Sequence, residues 1–322
     1  MNLLNSGNSK TRKGEKKGWT TFGIHLAPAS LSGFNVCDSS SPGCRWACLN
    51  TSGRGAMSSV QRARIAKTKL FFKDKPLFMS MLWKEITAGI KKAAKNGMQP
   101  CFRLNLTSDL PWEKIKFDGQ SVMEAFPNVQ FYDYCKSPER MSSFLSGKLP
   151  ANYHLTFSRS ESNDLVARSI LKSGGNVAMV FRKSLPATYF GHEVIDGDET
   201  DLRFLDGSGK IIGLKEKGLA KKDLTGFVLE PTLAAWIANR PLFIWWWLPC
   251  SFYHSAIDQL KNADEPLSIR RRCWHVAILC LCRAWWYQCH KYSNLSHSRF
   301  YNITRASDGL ASDATSDWND RG

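Results

Sequence analysis

Several shortages in this 322-residue sequence each remove a class of function. No apolar run approaches the roughly 20 residues a bilayer-spanning helix needs. Residues 241–250 are too few, and 274–286 are broken by His275 and Arg283. The start, MNLLNSGNSKTRKGEKKGW, has no apolar stretch of the signal-peptide kind, so a cytoplasmic protein with no membrane partner is expected. No phosphate-loop motif and no dinucleotide-binding glycine pattern is present, which argues against the common nucleotide-binding folds. Histidine is sparse, and His25, His154 and His192 are scattered, so no histidine-based triad can be built from spacing. Acidic residues are also short, 28 against 44 Lys and Arg, leaving a net charge of +16 and pointing to an anionic partner.

What is present is unevenly placed. Residues 1–100 hold 17 basic and 4 acidic residues, whereas 101–228 hold 17 and 16 and 229–322 hold 10 and 8. The positive charge therefore belongs to the N-terminal part, and residues 1–100 are the candidate nucleic-acid contact. Runs such as Arg62 to Lys75 also read as ordinary solvated helix faces. Three regions follow: a flexible basic arm (1–18), an α/β domain (19–228), and a tail (229–322) holding eight of the twelve Trp and five of the ten Cys. No helical or strand period persists through that tail. It reads as a small separate domain or as a segment with no selected fold.

Within 19–228, apolar runs at 23–26, 101–106, 129–134, 153–157 and 176–181 read as strands. Helical patterns lie between them at 58–72, 78–90, 111–126, 138–145 and 163–172. Strand and helix alternating at this spacing predict a parallel sheet of βαβ units. Short runs at 193–195, 202–205 and 210–214, with Asp-Gly at 196–197 and 206–207, predict a hairpin or meander. The fold class expected is α/β: a partial (β/α) barrel-like parallel sheet with a small β-hairpin or meander near 193–214 and an atypical C-terminal tail.

The main chemical motif is FNVCDSSSPGCRWACLNTSGRG, with Cys37, Cys44 and Cys48 spaced C-x6-C-x3-C. Three thiols within twelve residues can reach one metal, and Gly43, Gly53 and Gly55 let a loop wrap it. In a reducing compartment such clustering suggests a metal or catalysis more than a disulfide. A zinc site takes a fourth ligand, which His25, Cys101 or Cys135 would supply. A 4Fe–4S cluster on three thiolates leaves one iron open. The third reading is three ordinary, partly buried cysteines.

Each strand runs into polar residues, and in parallel α/β folds ligands sit at that carboxyl edge. The candidates for cofactor or substrate binding are Thr107, Asp109, Asp133, Ser158, Ser160 and Arg182. Such residues also serve as helix caps, as Ser137 before Pro138 suggests. Arg103 and Asn105 sit in an otherwise apolar strand, facing either a barrel interior or a solvated face.

The segments SPGCRWACLNTSGRG, SVQRARIAKTKLFF, RLNLTSDLPWE, FYDYCK, YHLTFSRSESN and DLRFLDGSGKIIGLKEKG resemble the gene product 88-like proteins of phages and prophages, over roughly residues 8–228. That resemblance implies a phage or prophage protein working in the host cytoplasm and carries no reaction with it. At the level of fold order, a three-cysteine loop after the first strand of a partial barrel is similar to radical S-adenosylmethionine enzymes. This implies a cluster on Cys37, Cys44 and Cys48 whose open iron binds the amino and carboxylate groups of S-adenosylmethionine. The spacing departs from that family's usual C-x3-C-x2-C. The alternative is a zinc-stabilised nucleic-acid-binding protein without catalysis.

Overall fold

The computed structural model describes residues 1–6 and 11–231, and Met1–Pro231 forms one compact unit. The expectations placed on 232–322 lie outside the described residues. In chain order the elements are β1 (Leu4–Ser6), β2 (Trp19–Ile24), α1 (Pro42–Trp46), α2 (Ser58–Lys73), α3 (Lys75–Lys95), β3 (Gln99–Arg103) and α4 (Val122–Ala125). Then follow β4 (Gln130–Cys135), α5 (Pro138–Leu145), β5 (Tyr153–Ser158), α6 (Asp164–Lys172), β6 (Val177–Phe181), β7 (Thr188–Tyr189), β8 (His192–Asp196), β9 (Ile211–Lys215) and β10 (Val228–Leu229).

The described strands form one sheet in the order β1-β2-β3-β4-β5-β6-β9-β8-β7, with β10 on β6. From β2 to β8 all neighbours are parallel. The edges are antiparallel, β1 on β2 and β7 on β8. The sheet is an open, mostly parallel α/β layer. Because β2 to β6 lie side by side in chain order, right-handed crossovers place their helices on one face. On that face Phe22, Phe102 and Phe131 form a row of neighbouring rings. The row joins Phe78, Leu82 and Ile86 of α3 in the core. Those three recur at i, i+4 and i+8, and each buried side chain contributes about 1.5–3 kcal/mol.

The opposite, inner face is half filled by the chain itself. Leu202 is buried with Cys101 and Tyr132, and Phe204 packs edge-on to Trp19. Asp201 accepts from Arg103 Nη1 and from Tyr132 Oη at 3.2 Å. Residues 202–205, expected as a strand, are a short 3-10 turn over Arg203–Leu205 that plugs the amino half of this face. The hairpin is β7–β8, earlier in the chain than expected, while β9 pairs parallel with both β6 and β8.

At the N-terminus, Leu3 is fully buried, and its N–H and that of Leu4 donate to the Glu85 carboxylate. Lys67 donates to the Leu3 carbonyl at 2.8 Å. Residues 3–6 are thus tied to the sheet and to α2 and α3, in contrast to the free arm expected there. Among the described residues no helix is long and apolar enough to cross a membrane.

Candidate functional site

The thiol loop leaves β2 and lands on the carboxyl edge of the sheet. Ser41 caps α1 by accepting from the Cys44 N–H at 3.1 Å, and Pro42 at the first helical position needs no donor. Glu161, just past β5, grips this turn from the sheet side. Its carboxylate accepts from Ser41 Oγ and from the Gly43 N–H, both at 2.7 Å. A side chain at 43 would come within 2.7 Å of Glu161 Oε2 and collide with Thr225 Oγ1, so glycine is required for the loop to sit this close. Ala47 packs against Ala220, Phe227 and Val228, with Cys44 alongside.

Cys37, Cys44 and Cys48 are all free and half-buried, and Cys44 lies near enough to both Cys37 and Cys48 to oppose their ionisation. Lys136, the first residue after β4, stands among them. Its ammonium donates to Ser158 Oγ at 3.1 Å and lies beside the Cys44 thiol. Burial works to lower the Lys136 pKa, but Cys44, Asp109 and Cys37 more than offset it and leave it above the ordinary lysine value. Burial pushes the Cys37 thiol up to about 11 and raises Cys48 as well. A thiol raised in this way is a poor nucleophile at neutral pH, because the thiolate is the reactive form.

Three of the six strand-end candidates meet at this place. Asp109 accepts from the Lys136 N–H at 2.9 Å and from Arg140 Nη1 at 2.8 Å. Thr107 donates to the Leu26 carbonyl at 2.6 Å, and its own carbonyl faces Cys37 Sγ at 3.9 Å. Ser158 holds Lys136. The other three lie elsewhere. Asp133 is fully buried, accepting from the Asn105 N–H at 2.7 Å and from Tyr153 Oη at 3.0 Å. Ser160 is buried at the start of the α6 cap, its N–H on Asn163 Oδ1 at 2.7 Å. Arg182 secures the last described segment through Glu230 Oε1 at 2.7 Å and the carbonyls of Lys221 and Asp223.

Arg103 and Asn105, the two polar residues noted in the apolar run at 101–106, are both engaged near the thiol loop. Arg103 faces inward, its guanidinium 4.4 Å from the Tyr134 ring. Asn105 is a buried hub that accepts from Ser108, the Leu110 N–H and Trp112 Nε1. Arg64 of α2 reaches under the loop to the Asn50 carbonyl at 3.1 Å and lies beside Cys48. Lys136, Glu161 and Arg64 were missed because each matters only through contacts far away in sequence. The weak signal available was the polarity just after β4 and β5. A separate cavity of about 710 Å³, lined by Met98, Pro100, Phe126 and Asn128 among others, opens at the amino edge, away from the thiols.

A parallel α/β sheet with free thiols and a lysine gathered at its carboxyl edge is a familiar setting for a bound group. The family model of gene product 88 matches residues 2–230, and the chain belongs to that family, a family of phage gene products. Comparison with curated proteins and with solved structures gives no match.

Proposed function

We propose that this domain is a radical-type iron–sulfur enzyme, with a 4Fe–4S cluster on Cys37, Cys44 and Cys48 and S-adenosylmethionine on the iron those thiolates leave open. The observation that carries the reading is the gathering of three free thiols from one loop around a single ammonium at the carboxyl edge of a partial barrel. The donor set suits a cluster: thiolates are its ligands, and a bound metal deprotonates a buried thiol outright. Among the described residues no three His, Cys, Asp or Glu side chains already stand in metal-binding geometry, so binding requires the thiol side chains to rotate about a loop anchored by Glu161.

When bound, such a cluster supplies single electrons for reductive cleavage of the sulfonium. The chain's own residues do the rest. Lys136 and Arg64 set positive charge against a thiolate-rich centre, which is worth far more in this buried setting than in water. Asp109 fixes the Lys136 backbone, and Arg140 fixes Asp109.

The test is anaerobic purification and reconstitution with iron and sulfide, followed by elemental analysis. Bound iron and sulfide with a broad visible absorbance are expected, lost on Cys37→Ser, Cys44→Ser or Cys48→Ser. A colourless protein without iron after reconstitution would overturn the reading. Zinc in place of iron would move the protein to the class of zinc-stabilised nucleic-acid binders, whose affinity falls steeply with salt.

A further inference from the structure

Buried polar atoms in native proteins nearly always have a partner, so a group of them without one asks for a ligand. Four such atoms are found in this part of the molecule: His25 Nδ1, Arg64 Nε, Arg103 Nε and Thr156 Oγ1 are buried with no hydrogen-bond partner among the described residues. Thr156 is fully buried, and Arg64 is 7% exposed. Strand pairing and charge link these residues along one face of the sheet. Gly23, two residues before His25, pairs with Arg103 across β2 and β3. Arg103 stacks on Tyr134, which pairs with Thr156 across β4 and β5. Burial, helped by the charges of Arg64, Arg103 and Lys67, holds the His25 pKa down at about 3. Asp201 is the carboxylate paired with Arg103, and it binds from the plugged side.

We infer that the inner face between His25, Arg64, Arg103 and Thr156 is a subsite for an anionic oxygen group, a carboxylate or phosphate carried by a small substrate. Two guanidiniums, an imidazole and a hydroxyl on this face each keep a buried atom without a partner, and every one of them can donate. Arginine is the side chain best suited to such groups. Half-buried His25, Lys136 and Ser158 mark the carboxyl edge at which a substrate enters. Asp201 takes one side of the Arg103 fork and leaves Nε for the ligand. The inference does not rest on the cluster: it holds whether the thiols carry iron, zinc or nothing.

Calorimetric titration of the full chain with inorganic phosphate and with acetate tests it, and the two arms decide between the two oxyanions. Saturable binding of at least one is expected. Thr156→Val removes one hydroxyl at constant shape. It should weaken that binding about tenfold, the effect of one hydrogen bond to a charged group. The same variant should leave the melting temperature unchanged or higher, since it deletes an unpaired buried hydroxyl. His25→Leu, at another point of the ring, should act in the same direction on binding. No binding of either anion, or binding that both variants leave intact, would overturn the assignment. Because the readout is anion affinity, it fails or succeeds apart from the iron analysis.

Discussion

A carboxyl group shut inside a sheet brings a pH dependence with it. Burial raises the Asp133 pKa from 3.8 to about 7, against the opposing pull of Arg103, the Asn105 N–H and Arg140. The folded state therefore holds this proton more tightly than the unfolded chain. Its contribution to stability is full below the unfolded value and is lost as pH rises through the folded one. Asp133→Asn keeps an acceptor for the Asn105 N–H and gives Tyr153 a donor, but does not titrate. Thermal melts should show wild type losing stability relative to Asp133→Asn between pH 4 and 7, in the window set by those two values. Parallel curves for the two proteins would show that Asp133 stays ionised in the fold. This residue was read as a pocket lining because it ends an apolar strand. Strand ends look alike in sequence, whether they open to a ligand or turn inward to a partner such as Tyr153.

Among the elements, α1 is the most dependent on others. Five residues form no stable helix alone. It persists because Ser41 caps it and Glu161, 118 residues from Gly43, holds its first turn. Glu161→Ala strands the Gly43 N–H and should cost about 1–3 kcal/mol. It should also raise proteolytic cleavage within 37–48 before any change elsewhere; equal cleavage in both proteins would show that the loop is held by its apolar contacts alone. Elements with strong local signals were legible. Pro138–Leu145 matches its period together with the Ser137 cap, and the strands at β4, β5 and β6 fall within a residue of their apolar runs. The segment 111–126 was misread as one helix. It divides into a turn at Trp112–Lys114 and α4, separated by Asp118 and Gly119, both at positive φ. That Asp-Gly pair is a breaker the apolar spacing concealed. At the site, the three cysteines were legible from composition, whereas Lys136, Glu161 and Arg64 take their meaning from tertiary contacts.

For the whole molecule, the compact unit Met1–Pro231 and the family match over 2–230 end almost together. The last strand within this unit is structural. The Arg182 N–H donates to the Leu229 carbonyl at 2.8 Å, and its side chain pairs with Glu230. A chain ending at Pro231 should unfold in one cooperative transition by circular dichroism, whereas one ending at Gly226 should melt lower or not fold. Equal melting of the two would show β10 to be dispensable, and failure of the longer chain to fold would show that the unit needs residues beyond 231.

β10 lies along β6 at Val180 and Phe181, beyond the point where β5 stops pairing at Ala178, so it continues the lane that β5 leaves. It brings Phe227 and Val228 against Ala47 and Cys44. Synthesis proceeds from the N-terminus. The thiols therefore leave the ribosome early, while the segment that packs over Cys44 arrives some 180 residues later. Until then Ala47 and Cys44 lack the apolar cover that Phe227 and Val228 give them, so the thiol loop reaches its folded surroundings only when the last residues of this unit have been made.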